Sequence, residues 1–348
     1  MTAGRTGGSE GARRHRRPAP AWAKVALGLG LVLLLISGAG GAGLHMLTNR
    51  YDNSVVKELL LDPAARGERG DVAGPLNYLL VGSDERPSAD PGADQRSDTI
   101  MIAHLPAGLD RAYLISVPRD LLVEIPPAPA SGWPGGPDKI NSAFQYGGGG
   151  QGGTRLLSAT LTRLTGIRFD GAALVNFAGF QRAIDLLGGI RMCVDTPVRS
   201  IHTRHVFEAG CHQMSGPQAL DYARQRYDLP NGDFDRQRHQ QQLLRAMMDR
   251  ATTTDMLRNP LRMDQVIRAI GSSFTVDTNG VPLEELIFGL RRIRSDALRG
   301  IQLPSHSEDI DGVSYVLLDE PATTLFGAMH GADLDNWARQ HPKWVNRL

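Results

Sequence analysis

The chain has 348 residues, 41% of them hydrophobic, a formal net charge of +1 and two cysteines, enough for one large domain or two ordinary ones with a full core. The charge is uneven: the first 24 residues carry six Lys or Arg against one Glu, leaving 32 basic and 36 acidic residues in the rest. A slightly acidic body argues against a general nucleic-acid-binding surface, and two cysteines not spaced as a knuckle argue against a zinc module.

Residues 1–24, rich in Gly, Ala, Pro and Arg without apolar periodicity, read as a disordered basic tail. Residues 25–44 contain no charge and are long enough to cross a bilayer as a helix, so 25–47 is the expected transmembrane segment. The arginines precede it, which predicts a cytoplasmic tail and an extracytoplasmic remainder on a single-pass cell-membrane protein. A cleaved signal peptide, with its small residues at 37–43, and a buried core helix are the alternatives. Residues 48–74, with Pro63, Gly67, Gly70 and Gly74, read as a stalk and linker; the folded domain is expected over 75–335 and a tail over 336–348.

Three apolar runs follow, each bounded by acids and arginines. Residues 76–81 end at Asp84, residues 99–103 follow Arg96-Ser97-Asp98, and residues 112–117 end in Pro118-Arg119-Asp120. They read as buried strands of an α/β sheet whose ends line a crevice. Residues two apart on a strand share a face, so Arg96 and Asp98 point together and converge with Asp84 and Arg119. Two carboxylates offer hard oxygen donors for a divalent cation, and neighbouring arginines hold phosphate oxygens; the expectation is magnesium-assisted phosphate or pyrophosphate chemistry.

Residues 121–125 are expected to continue the sheet before a Pro- and Gly-rich loop, 126–137, that contains Trp133. Lys139 just beyond is either a solvated charge or a phosphate contact. Six of the seven residues 147–153 are Gly, but no Gly-Lys-Ser/Thr follows, so a flexible loop before a helix at 154–164 is expected rather than a phosphate cradle. Strand 172–177, helix 180–187 and strand 190–194 keep the class α/β. The polar loop 197–211 and the position just beyond it hold His202, His205 and His212, which read as surface histidines because no third metal ligand is spaced to join them. Cys193 and Cys211 form a disulfide or remain two buried thiols.

The second chemical stretch is 216–242. A short helix over 216–223 leads into Arg224-Gln225-Arg226, whose extended form puts both guanidinium groups on one face, as a pyrophosphate requires. Asp233 is placed as the cap of a long helix with Arg236 and Gln240 on its own side and Leu243, Leu244, Met247 and Met248 facing the core. An arginine-rich helix alone reads as a solvated face; the concentration of Arg224, Arg226, Asp233, Arg236 and Arg238 in an acidic body favours a site. Beyond it, helices at 263–270, 283–293 and 320–329 and strands at 300–304 and 313–318 complete the domain.

The motifs NYLLVGSD (77–84), RSDTIMI (96–102), SVPRD (116–120), KINSA (139–143), VNFAG (175–179), LGGI (187–190) and the stretch 216–242 together resemble the LytR-CpsA-Psr family over residues 75–250, with continuation beyond. The resemblance implies an α/β/α sandwich around a mixed sheet, with an apolar channel for a polyprenyl tail. It implies a phosphotransferase that moves a glycopolymer from an undecaprenyl pyrophosphate carrier to peptidoglycan through a phosphodiester, releasing undecaprenyl phosphate, with no nucleic-acid partner. Carried over by position, Asp84 and Asp98 are the metal ligands for magnesium or manganese. Arg96, Arg119, Lys139, Arg224, Arg226, Arg236 and Gln240 bind pyrophosphate, with Arg119, Asp233 and Arg236 at the reacting centre. Position 239, His here where many members carry Arg, departs from the pattern and is left out of the site. Two other functions stay open: a lipid-pyrophosphate hydrolase, and a membrane-anchored regulator of transcription, as the family's historical name has it.

Overall fold

Near-continuous apolar runs call for a sheet covered on both faces, and the computed structural model builds one within residues 56–68, 75–83, 97–227, 229–253, 274–281, 293–331, 333–346 and 348, the residues it describes. In chain order the elements are β1 (Val56–Lys57), β2 (Leu76–Ser83), β3 (Ser97–Leu105), β4 (Ala112–Val117), β5 (Leu122–Ile125), β6 (Gly136–Lys139), α1 (Ile140–Tyr146), α2 (Gly150–Thr165), β7 (Gly171–Asn176), α3 (Phe177–Leu186), β8 (Ile190–Val194), β9 (Val198–Arg199), β10 (Val206–Phe207) and β11 (Gly210–Met214). There follow α4 (Gly216–Ala223), α5 (Asp233–Thr253), β12 (Phe274–Asp277), β13 (Leu298–Gln302), β14 (Ser305–Ile310), β15 (Val313–Leu318), α6 (Pro321–Gly331), α7 (Leu334–Gln340) and β16 (Val345–Asn346).

The central sheet has eight strands in the order β1-β12-β7-β2-β3-β4-β13-β16. It is mixed: β2 runs antiparallel to β3 and parallel to β7, while β4 runs antiparallel to β3 and parallel to β13. The period of two sorts its side chains. Leu79, Ile100, Ile102, Tyr113 and Ile115 pack into one core with Phe144 of α1, Leu157 and Leu161 of α2, Leu325 of α6 and Trp337 of α7. Leu80, Thr99 and Met101, one residue out of phase, face α3, α4 and α5 across a cavity. Helices therefore flank both faces, and each aliphatic side chain sealed in the core contributes roughly 1.5–3 kcal/mol against exposure.

Several boundaries differ from the expectation. Leu60, Leu61 and Ala65, expected in a stalk, are fully buried in the main core, and β1 pairs with β12. At the other end, 336–348 is no tail: Trp337 and Trp344 are buried, and β16 pairs with β13. Local polarity hid both segments because their few apolar residues are fixed by distant partners. Residues 121–125 leave the central sheet, since β5 pairs with β6 in a separate ribbon, and β14–β15 likewise forms its own hairpin. The glycine run is a tight joint, not a flexible loop: α2 begins at Gly150, and a Cβ at Gly147 would lie 2.4 Å from the carbonyl oxygen of Gly152. Within the loop expected at 197–211, β9 pairs with β10, while β8 pairs with β11 across Cys193 and Cys211, which form a disulfide. Residues 25–47, 263–270 and most of 283–293 lie outside the described residues; among those described, no helix is long and apolar enough to cross a membrane.

Candidate active site

Three elements bring their charged ends together: the start of β3 with Asp98, the turn after β4 with Arg119 and Asp120, and the first turns of α5 with Asp233 and Arg236. Arg119 is the hub. Its Nη1 donates to Asp98 Oδ1 at 2.7 Å, and its Nε lies 3.5 Å from Asp120 Oδ2 and 3.8 Å from Asp233 Oδ1. Arg236 Nη2 is 2.8 Å from the same Asp233 oxygen. Lys139, at the end of β6, reaches Asp120 Oδ1 at 3.3 Å and stands over the Tyr315 ring. Three carboxylates thus face three cations.

Burial and charge pull these arginines in opposite directions. Burial works against the charge of Arg119, but the carboxylates of Asp233, Asp120 and Asp98 outweigh it and raise its affinity for a proton. Arg236 is 4% exposed, and burial pulls its pKa below the ordinary value despite Asp233; a guanidinium stays charged all the same. The Nε atoms of both arginines are buried without a hydrogen-bond partner among the described residues. Unsatisfied cationic donors beside shared carboxylates are a site that an anion rich in oxygens can complete.

The extended form expected for Arg224-Gln225-Arg226 is not kept: Arg224 ends α4 in helical backbone, φ −95° and ψ −9°, with its amide bonded to the Leu220 carbonyl. Gln225 is fully buried, while Arg224 and Arg226 are both half-exposed. Arg224 stacks on Phe177 with its guanidinium carbon 4.5 Å from the ring centroid; Arg226 stacks on Tyr227 at 4.8 Å and donates to its hydroxyl at 2.9 Å. Arg224 and Gln240 also line an apolar cavity of about 230 Å³ between the sheet and helices α3, α4 and α5. Its walls include Leu80, Met101, Phe180, Leu243, Leu244 and Met247. Gln240 sits one turn beyond Arg236, so α5 carries the ionic cluster into the apolar cavity on a single face.

One expectation about α5 is corrected. Asp233 is its first helical residue rather than its cap; the Arg236 amide bonds to the Gly232 carbonyl, and the Asp233 side chain is turned to Arg236, Arg119 and Gln237. Leu243, Leu244 and Met247 face inward along the cavity, and Met248 faces the core too, against the cluster that holds Leu76 and Leu105. Asp84 and Arg96 lie outside the described residues.

The model of the LytR_cpsA_psr family matches residues 47–327. The chain belongs to the LytR_cpsA_psr family. It is 35% identical over 211 residues to a probable cell wall biosynthesis protein, LcpB, of Corynebacterium glutamicum, a match covering 58% of this chain and 48% of that protein; the chain thus aligns with about half of that relative's length. It is 28% identical over 246 residues to the polyisoprenyl-teichoic acid–peptidoglycan teichoic acid transferase TagU of Oceanobacillus iheyensis, covering 70% of this chain and 72% of TagU. Among solved structures, that of the family protein YwtF (TagT) of Bacillus subtilis with bound octaprenyl pyrophosphate lipid shares the fold, with a TM-score of 0.56 and 21% identity over 79% of this chain and 97% of that one.

Against that LytR_cpsA_psr background, His239 occupies a different place from the ionic cluster. It is 2% exposed, stacks on Tyr222 and sits with its Nε2 3.1 Å from the Tyr222 hydroxyl; burial first, then the charge of Arg238, lowers its pKa to about 4. It lines a second, polar cavity of about 120 Å³ with Asp195, Asp235 and Arg238. Sequence reasoning missed Asp120, which directly follows Arg119 in SVPRD, and Phe177, the aromatic of VNFAG that shelves Arg224. For magnesium, Asp98 is a hard oxygen donor of the right kind, but among the described residues no three His, Cys, Asp or Glu side chains are grouped to hold an ion.

Proposed function

We propose that this protein transfers a glycopolymer from an undecaprenyl pyrophosphate carrier to peptidoglycan through a phosphodiester, releasing undecaprenyl phosphate. The observation that carries the reading is the cavity of about 230 Å³, apolar along its walls and headed by Arg224 at the end of α4 and by Gln240 of α5, the helix that also bears Arg236 and Asp233. That amphiphilic layout suits a lipid with a pyrophosphate head. The names of the relatives and the lipid bound to YwtF point the same way.

In this reading a peptidoglycan hydroxyl oxygen attacks the glycan-linked phosphorus. The new P–O bond forms as the bond to the bridging oxygen breaks, and that oxygen leaves on the lipid phosphate. Arg119 and Arg236 exchange part of their carboxylate contacts for nonbridging oxygens, Arg224 and Arg226 grip the pyrophosphate with planar forks, and Lys139 adds a point charge. Asp233 takes the hydroxyl proton; a carboxylate suffices as the base when proton transfer lags behind bond cleavage in a loose transition state. Asp98 and Asp84 would hold Mg²⁺ or Mn²⁺, which when bound neutralises charge on the phosphates. Residues 25–47 would anchor the domain on the outer face of the cell membrane, where peptidoglycan lies.

The deciding experiment is mass spectrometry of lipid extracted from the full-length protein, followed by turnover of a polyprenyl-pyrophosphate-linked glycan with peptidoglycan fragments. A co-purifying polyprenyl phosphate and a phosphodiester product are expected. Release of lipid phosphate with free phosphorylated glycan as the sole product would make the protein a hydrolase instead.

A further inference from the structure

The loop 200–204, which carries His202, is pinned to the segment that bears the arginine pair. Ser200, Asp221 and Gln225 are all buried and bonded to one another: Ser200 Oγ donates to Asp221 Oδ1 at 2.7 Å, and Gln225 Nε2 donates to Asp221 Oδ1 at 2.9 Å. Thr203 Oγ1 bonds to the other Asp221 oxygen. The backbone closes the joint, since the Ile201 amide donates to Gln225 Oε1 at 3.2 Å and the His202 amide to Ser200 Oγ at 3.0 Å. Gln225 lies between Arg224 and Arg226 in the chain, so the network that turns both arginines outward also holds His202 beside them.

His202 is exposed to solvent at this joint. The charged groups facing it are Arg224 and Arg226 from the segment after α4, and Asp221 from α4 itself, whose carboxylate is occupied by Ser200, Thr203 and Gln225. Desolvation and then the two arginines, outweighing Asp221, hold the imidazole below the ordinary histidine range. Three potential cations therefore converge, and one of them is neutral near pH 7 until negative charge arrives.

We propose that His202 is a third ligand of the pyrophosphate bound by Arg224 and Arg226, taking up a proton from solvent as the anion binds. This rests on the pyrophosphate reading of the arginine pair. Anion binding favours the imidazolium by charge and by a charge-assisted hydrogen bond, so by linkage the proton and the pyrophosphate strengthen each other's binding. Affinity rises as the pH falls toward the free imidazole's pKa, and the effect fades at alkaline pH, where His202 stays neutral even in the complex.

The probe is a nucleoside-diphosphate sugar, a pyrophosphate substituted at both ends with no proton of its own titrating near neutrality. Calorimetry on the full-length protein in detergent, repeated in buffers of different ionisation enthalpy, measures protons taken up. The expected wild-type result is net uptake at pH 7 that vanishes by pH 9. His202→Gln should take up none and bind about tenfold more weakly at pH 6.5, with near-equal affinity at pH 9. His205→Gln, altered three residues along the same loop, should match the wild type. Equal uptake and equal affinity in His202→Gln and wild type would overturn the role of His202 while leaving the arginine site intact. Wild-type affinity in Arg224→Ala and Arg226→Ala, or no binding by the wild type, would overturn the pyrophosphate reading and this inference with it.

Discussion

Gln241 sets where α5 lies on the sheet, and two substitutions of nearly equal shape test that. It is fully buried; its Nε2 donates to the carbonyls of Leu114 and Ile301, each at 2.9 Å, and to Ser116 Oγ at 2.8 Å, while its Oε1 accepts from Asn346 at 2.8 Å. Gln241→Leu removes these bonds at about 1 kcal/mol each and recovers part through apolar burial, a net loss of about 2 kcal/mol. Gln241→Glu keeps the shape but sets a carboxylate against two carbonyls, a buried charge with, among the described residues, only the Asn346 amide and the Ser116 hydroxyl to donate to it and no cation beside it, at about 3–5 kcal/mol near neutrality. The folded-state pKa of that glutamate would be raised, so its penalty is full above the raised value and is relieved as the pH falls below it. Urea unfolding of both variants against wild type at pH 7 and pH 5 reads the difference. Because α5 carries Asp233, Arg236 and Gln240, turnover per folded molecule should also fall at least about tenfold in each variant. A glutamate variant as stable as wild type at pH 7, or with the same deficit at both pH values, would refute the argument.

Met247→Trp adds bulk to the wall of the cavity of about 230 Å³ and should obstruct the tail and abolish lipid co-purification while a short-chain pyrophosphate still binds; equal lipid retention would place the tail elsewhere. Arg224→Lys loses both the planar fork and the Phe177 shelf, so turnover should fall nearly as far as in Arg224→Ala, by about a hundredfold, and wild-type rates would count against the clamp. Asp98→Ala should remove most turnover and alter its metal dependence, besides taking away one of the three carboxylates around Arg119; full activity in chelator would reject a metal at this carboxylate. His104 and His239 are buried with pKa values lowered to about 4, so the unfolded chain binds protons there that the fold refuses. Stability should therefore decline from about pH 6.5 toward pH 4, less steeply in His239→Gln; matching slopes in variant and wild type would contradict that account.

Local pattern by itself determined much of this protein. The apolar runs around Leu79, Ile102 and Ile115 could be read as strands because short apolar runs bounded by acids and arginines suit strands buried on both faces. Their ends, Asp98 and Arg119, could be read as a shared site because strand ends in such sheets gather on one rim, whereas the Gln-in, Arg-out arrangement at 224–226 comes from the buried network around Gln225, since Arg224 is helical and not extended. What no local window contains is pairing between distant segments. Leu60 and Trp337 look like stray apolar residues until the core closes over them, and Val345 becomes sheet only because Ile301 lies opposite. Distance also decided the roles: Asp233 reads as a helix cap from sequence, yet Arg119, more than a hundred residues earlier, and Arg236 claim its carboxylate. Likewise His202 is an ordinary loop histidine until Gln225 and Asp221 fasten it beside two arginines, a contact that depends on side chains buried in a network only the folded chain can assemble.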